Sequence, residues 1–180
     1  MVTRKWFTIG MNKPIVICFA GATASGKSQL AYALSEEYGL PIFSNDAVRY
    51  DVKVAENVED INDALDAYKS LRDERLDAMF ERGKSFIYDA SVDRRWSDLK
   101  QKMHKNNFEY ILISFNLSIE FIIRLAKMFD RPESPKELNR LLVDHENFVR
   151  DCSGDITLNI DENNYKDRLD LSETAIDYKI

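Results

Sequence analysis

The stretch Gly21-Ala22-Thr23-Ala24-Ser25-Gly26-Lys27-Ser28 decides the fold of this chain. It matches the pattern G-x-x-x-x-G-K-[ST] of a phosphate-binding loop, or P-loop. The run Ile15 to Ala20 before it is continuously apolar and mostly β-branched or aromatic, which is typical of a buried parallel strand. The segment Gln29 to Glu37 after it has the composition of a helix. Strand, loop and helix therefore follow one another in the order that the motif requires.

The residue types in this loop suit the phosphates of a nucleoside triphosphate. Gly21 and Gly26 let the backbone curl tightly and approach an anion without a Cβ clash. The curled N–H groups and the start of the next helix form an anion-binding nest. Lys27 can reach the β- and γ-phosphates, and the Ser28 hydroxyl can ligate Mg²⁺. We therefore predict that ATP and Mg²⁺ bind here, with these residues holding the nucleotide: Gly21, Ala24, Ser25, Gly26, Lys27, Ser28 and Gln29.

Length and composition narrow the class of protein. A chain of 180 residues is long enough for one domain with a sizeable core. We expect a flexible leader over residues 1–12 and a single domain over 13–180. The net charge of -6 argues against a broad surface for polyanions. Two cysteines far apart favour reduced thiols in a cytoplasmic protein, and no apolar run is long enough to cross a membrane.

Strand and helix patterns alternate along the whole chain. Helical periodicity predicts helices between the strands, including one over 61–82 and one that begins with a capping box at Ser134-Pro135-Lys136-Glu137. The acidic segment Asp51 to Asp66 is interpreted as a solvated surface segment or flexible flap. Alternation of this kind indicates a three-layer α/β fold with about five parallel strands and helices on both faces. The predicted strands cover residues 15–20, 42–44, 85–89, 110–115 and 156–160.

Two aspartates follow predicted strands, where ligands of such folds bind. Asp46 comes after the second strand, and its carboxylate can accept a proton from an attacking hydroxyl or hold Mg²⁺. Arg49 lies one helical turn further on and can bind an anionic acceptor. Asp89 ends the third strand and can hold the Mg²⁺ shell. The alternative interpretations are a helix N-cap for Asp46, a surface arginine for Arg49 and a strand-end turn residue for Asp89.

Several cations complete the predicted site. Arg94 opens the helix after Asp89, where a cation opposes the helix dipole, and it is assigned to an anionic substrate. Arg124, Lys127 and Arg131 form one helical stripe that ends at a Pro-containing loop, and we expect a lid over about 124–137. At least one of these three cations would neutralise charge in the transition state. The alternatives are solvated charges at Arg94 and a salt-bridged helix face in the stripe.

In the order and spacing of its motifs, the chain from about Pro14 to Ile160 resembles a group of small P-loop kinases. This group includes polynucleotide 5'-hydroxyl kinases, zeta-toxin-like kinases and related AAA-type kinases of small molecules. The resemblance implies a three-layer P-loop fold of the nucleotide-kinase type. It also implies that Asp46 acts as a base toward the acceptor hydroxyl, that Arg49 holds an acceptor phosphate and that Arg124 or Arg131 supplies the lid arginine. Asp89-Ala90-Ser91 stands where the group commonly has Asp-x-Asn. The start of the chain also resembles that of tRNA dimethylallyltransferases, although no counterpart of their later substrate region is present.

The function predicted from these residues is phosphotransfer from ATP to a small molecule, a nucleotide or a 5'-hydroxyl. The alternative is a P-loop ATPase or a nucleotide-binding switch without an acceptor. Ala90 stands directly after Asp89, where many ATP-hydrolysing motors have a water-activating Glu, and this favours transfer over hydrolysis. The acidic segment argues against long nucleic acid as a partner. The two histidines have no zinc-ligand spacing, and His145 is interpreted as structural.

Overall fold

The apolar runs of the sequence form the strands of a single parallel sheet in a computed structural model of the protein. The structure describes residues 13–128 and 135–179. The predicted leader at 1–12 lies outside the described residues, as does Arg131 of the predicted lid. The strands are β1 (Ile15–Ala20), β2 (Ile42–Ser44), β3 (Phe86–Ser91), β4 (Glu109–Phe115) and β5 (Leu158–Ile160).

Helices connect these strands on both sides of the sheet. The helix predicted over 61–82 consists of a short 3-10 helix (Ile61–Ala64) followed by an α-helix from Leu65. The α-helices are α1 (Lys27–Tyr38), α2 (Asn45–Glu56), α3 (Leu65–Glu81), α4 (Trp96–Lys105), α5 (Ile119–Met128), α6 (Pro135–Cys152) and α7 (Arg168–Lys179).

The strand order β2-β3-β1-β4-β5 places β1 at the centre of the sheet. β1 pairs in parallel with β3 on one side and with β4 on the other. The loop after β1 therefore lies between the carboxyl ends of β3 and β4, where the direction of winding reverses. Ligands of open α/β sheets bind at such a switch point.

Alternate residues of β1 point into two separate cores. Ile15, Ile17 and Phe19 pack with Leu34 of α1 and Ile176 of α7. On the opposite face, even-numbered β1 residues pack with side chains from α3 and α4. A strand that is buried on both faces has apolar residues at every position, which is why the apolar run before the loop predicted β1. The three-layer α/β fold is confirmed.

Of the two interpretations of residues 51–66, the flexible flap is wrong for residues 51–56, which lie in α2, whereas most of the acidic side chains are exposed, as a solvated surface segment requires. α2 continues to Glu56, because Val48 and Val52 lie one turn apart and are buried against the sheet. Ser44 caps the helix by accepting a hydrogen bond from the Ala47 N–H at 3.4 Å, and Asn57 ends it in the left-handed conformation.

Across the described ranges, no helix combines the length and apolarity needed to span a membrane.

Candidate active site

The P-loop is held in a conformation that its glycines allow. Gly21 and Gly26 have φ angles of +132° and +92°, in the region that L side chains rarely adopt. A Cβ at Gly21 would lie 2.9 Å from Phe115 Cβ and 3.0 Å from Phe115 O, so the loop packs directly on the end of β4. Ala24 also has a positive φ, of 56°. The loop is therefore a tightly curled structure in which successive N–H groups can converge on an anion.

Lys27 folds back over the loop. Its ammonium donates hydrogen bonds to Gly21 O at 2.9 Å, to Ser25 Oγ at 3.0 Å and to Ala22 O. Burial lowers the pKa of Lys27 to about 8, although the carboxylates of Asp93, Asp89 and Asp46 act in the opposite direction. The ammonium is therefore a partly desolvated cation at the mouth of the loop, where a phosphate would stabilise its charge.

Ser28 and Asp89 meet beside the loop. The Ser28 hydroxyl donates to Asp89 Oδ1 at 2.9 Å. The pairing of β1 with β3 shifts register here, from Cys18 opposite Tyr88 to Phe19 opposite Ser91, and such irregularities re-aim side chains. Burial raises the pKa of Asp89, the nearby Asp46 raises it further, and the Ser28 hydrogen bond opposes both effects. The Asp89 carboxylate is thus a poorly solvated anion next to a hydroxyl, an arrangement that a cation would stabilise.

Asp46 and Arg49 lie on the first turns of α2, close to each other and open to solvent. Arg49 is 3.5 Å from the Asp46 carboxylate, and the two side chains are 50% and 79% exposed. The guanidinium carbon Cζ of Arg49 also lies 5.7 Å from the centroid of the Tyr68 ring, and that of Arg72 lies 5.5 Å from the same centroid. A hollow of about 630 Å³ is lined by Asp46, Arg49, Tyr50, Lys53, Glu59 and Asp60.

The remaining predicted cations have partners elsewhere. Arg94 donates to Asp144 of α6, with an Nε–Oδ2 distance of 2.6 Å. Arg124 lies 4.0 Å from Glu162 and 5.2 Å from the Phe121 ring centroid. Gln29 is exposed on the first turn of α1. The carboxylates of Asp89 and Asp46 are therefore near enough to the Lys27 ammonium of the loop to stabilise its charge. Arg94 is instead held at α6 by Asp144.

Asp93 and His145 are buried beside the loop, and the sequence patterns gave neither a role at the site. The Gly21 N–H donates to Asp93 Oδ1 at 3.1 Å, and His145 Nδ1 lies 3.1 Å from the same oxygen. These side chains are 7% and 2% exposed. The contact forms because α6 packs His145 against the connection between β3 and α4. No spacing of residues in the sequence predicts this packing.

The structure closely matches solved kinases of low sequence identity. A provisionally described kinase from Chloroflexus aurantiacus superposes with a TM-score of 0.66 at 16% identity, over 95% of this chain and 100% of that one. Shikimate kinase from Aquifex aeolicus gives 0.58 at 16% identity, over 90% and 96% of the two chains. The chain has the P-loop kinase fold.

Further solved structures share this P-loop kinase fold. Deoxyadenosine kinase from M. mycoides matches with a TM-score of 0.56 at 15% identity, over 91% of this chain and 99% of that one. No family model and no curated protein sequence matches the chain. The fold therefore rests on three-dimensional similarity together with the loop geometry.

The residues present fit a triphosphate and Mg²⁺. The positive φ angles of the loop let its N–H groups point to one side, the Lys27 ammonium is partly desolvated, and Asp89 has a raised pKa next to the Ser28 hydroxyl. Within residues 13–128 and 135–179, no group of three or more His, Cys, Asp and Glu side chains could hold a metal ion. This is compatible with Mg²⁺, which is commonly held by one or two protein groups together with waters and substrate phosphates.

Proposed function

We propose that the protein is an ATP- and Mg²⁺-dependent phosphotransferase that moves the γ-phosphoryl group to a hydroxyl of a small acceptor. The observation that carries this proposal is the 2.9 Å hydrogen bond between Ser28 and Asp89 in a pre-curled P-loop. It joins the hydroxyl that follows the loop lysine to a buried carboxylate near the end of the neighbouring strand β3. P-loop enzymes hold the metal of a nucleoside triphosphate with this pair of groups.

The donor side would consist of the loop and its lysine. The amides that follow Gly21, up to Ser28, and the start of α1 favour negative charge, whereas the Gly21 N–H itself donates to Asp93. The Lys27 ammonium can exchange its loop acceptors for β- and γ-phosphate oxygens. Ser28 and Asp89 would hold the Mg²⁺ ion, which supplies charge neutralisation of the phosphates when bound. Lys27 gains solvation from the phosphates, so binding relieves the cost of its burial.

The acceptor side would lie at α2. Asp46 follows β2, and its exposed carboxylate can accept the proton of an entering hydroxyl as the oxygen attacks the γ-phosphorus. Arg49 and Lys53 line the same hollow together with Glu59 and Asp60, and a carboxylate or phosphate group of the acceptor would pair with the two cations. Arg124, and Arg131 outside the described residues, would neutralise the transferring phosphoryl group and help to exclude water.

The experiment is an acceptor-panel screen that measures ADP release by the wild type and by Asp46→Asn. The panel pairs neutral hydroxyl compounds with matched acidic ones, such as nucleosides with nucleoside monophosphates and sugars with sugar acids. We expect an acidic acceptor to raise ATP turnover in the wild type, and Asp46→Asn to lower that turnover by about 100-fold or more. Product analysis by mass spectrometry identifies the phosphorylated acceptor.

Asp66→Asn is the matched control, because the Asp66 side chain is fully exposed on α3. It should leave turnover within about twofold of the wild type. An acceptor-independent ATPase rate that Asp46→Asn does not change would favour the hydrolytic alternative. If no acceptor raises wild-type turnover above the Asp46→Asn background, the phosphotransferase proposal fails.

A further inference from the structure

A buried relay of side chains reaches the P-loop from the far side of β1. It consists of Asp93 before α4, His145 on α6 and Ser114 on β4, and we call it the Asp93 relay. Asp93 Oδ1 and Oδ2 lie 3.1 and 3.3 Å from the Gly21 amide nitrogen. His145 Nε2 lies 3.4 Å from Ser114 Oγ. Three separate parts of the chain are therefore linked in a row of contacts, and Asp93 at its end contacts the first glycine of the loop.

The chemistry of the relay fixes the proton on one ring nitrogen. An ionised carboxylate only accepts hydrogen bonds, so His145 Nδ1 carries the proton that it donates to Asp93. In the neutral ring, Nε2 then accepts from the Ser114 hydroxyl. Ser114 is fully buried, which excludes it as a nucleophile toward an external substrate. The relay thus resembles a hydrolytic triad in connectivity but points at a backbone amide.

We propose that Asp93 is a positioning residue that holds Gly21, and through it the P-loop, in the conformation that binds triphosphate. This inference rests on the proposed function and extends it to residues behind the loop. The bond from Gly21 to a carboxylate is charge-assisted, and such bonds are roughly twice as strong as neutral ones. His145 and Ser114 keep the carboxylate in place, since both are buried. The His145 ring also stacks on the Phe148 ring, with 6.2 Å between the ring centroids.

Close packing at the start of the loop explains why an anchor matters. Gly21 has a positive φ that suits glycine, and an added Cβ there would overlap with Phe115 at the end of β4, so a displacement of Gly21 would shift the later amides of the loop. Asp93 also acts on Lys27: it is the carboxylate that contributes most to keeping the Lys27 ammonium charged. One side chain therefore supports both the shape and the charge of the nest.

The test combines nucleotide binding with exchange of a single amide. Binding of ATP with Mg²⁺ is measured by calorimetry, and hydrogen exchange of the Gly21 N–H is measured by NMR in the nucleotide-free protein. Asp93→Ala should weaken ATP binding by about tenfold or more, the loss of one charge-assisted hydrogen bond, and should speed Gly21 exchange. Asp93→Asn should recover part of both, because its amide oxygen can still accept from Gly21. The KM for the acceptor should not change.

Relay behaviour is tested by a double-mutant cycle. His145→Phe removes the donor to Asp93 and should weaken ATP binding, and its effect should be much smaller when Asp93 is already alanine. Asp98→Asn, on the exposed face of α4, is the control and should bind ATP like the wild type. If Asp93→Ala binds ATP within twofold of the wild type, or leaves Gly21 exchange unchanged, the relay has only a structural role and the inference is overturned. A wild type that binds no ATP would instead overturn the proposed function.

Discussion

Gly26→Ala tests how closely the second glycine of the P-loop is enclosed. Gly26 precedes α1 with a φ of +92°. A Cβ added there would lie 2.4 Å from the Tyr165 hydroxyl oxygen and 3.4 Å from Tyr165 Cζ. That hydroxyl is buried and has no hydrogen-bond partner in the described part of the chain. The substitution therefore combines backbone strain with a collision against one identified atom.

The two contributions can be estimated separately. A non-glycine residue in left-handed backbone costs about 1–2 kcal/mol. Forcing an extra methyl group into packed surroundings costs about 1–3 kcal/mol. Gly26→Ala should therefore lower the free energy of unfolding by about 2–5 kcal/mol. Gly39→Ala is the matched control, since Gly39 has a φ of +64° but open space around its Cβ position, and it should cost only the backbone term.

Tyr165→Phe separates the collision from the strain. It removes the oxygen at 2.4 Å and leaves the ring carbon at an ordinary contact distance. Alone it should raise the free energy of unfolding by about 1 kcal/mol, because an unsatisfied buried hydroxyl is lost. In the Gly26→Ala background it should raise the stability by about 2 kcal/mol or more, since it also relieves the clash.

Urea unfolding followed by circular dichroism measures these differences, provided that the m-value stays constant across the four variants of the cycle. The expected signature is a positive coupling energy between positions 26 and 165, with none between 39 and 165. If Tyr165→Phe stabilises the wild type and Gly26→Ala equally, the hydroxyl does not meet the added Cβ. If Gly26→Ala costs no more than Gly39→Ala, the loop relaxes and our reasoning about its enclosure is wrong.

Two further predictions concern charge at the site. Burial raises the folded-state pKa of Asp89 above its unfolded value, so the stability that this carboxyl contributes at low pH is lost as the pH rises through the folded pKa. Asp89→Asn should thus stabilise the nucleotide-free protein at pH 7 by about 1 kcal/mol in urea unfolding, while lowering Mg²⁺-dependent turnover by about 100-fold or more. For Lys27, the folded pKa of about 8 lies below the ordinary 10.5, so the unfolded chain binds more protons between these values. Relative to Lys27→Met, wild-type stability should therefore rise from pH 8 to 10.5, by at most about 3 kcal/mol, and parallel pH profiles would contradict this.

Local patterns predicted the fold well, because each element carried its own signal. β1 is buried on both faces and so appears as an unbroken apolar run, and the loop glycines are required by their backbone angles. The acidic stretch after Asp51 was harder to interpret. Its acidic side chains are mostly exposed, as the composition indicated, but two valines one turn apart bury one face of α2. Composition averages over both faces of a helix, and burial depends on only one of them.

The sequence by itself determined the P-loop, the strand before it and the placement of Asp46 and Asp89 at strand ends, because parallel topology sends those ends to one edge of the sheet. Only the tertiary structure decided that Asp89 turns toward Ser28, that Arg94 pairs with Asp144, and that His145 reaches Asp93. These are contacts between residues about 50 to 60 positions apart. Their formation depends on a register shift and on helix packing, which no local pattern of residues encodes.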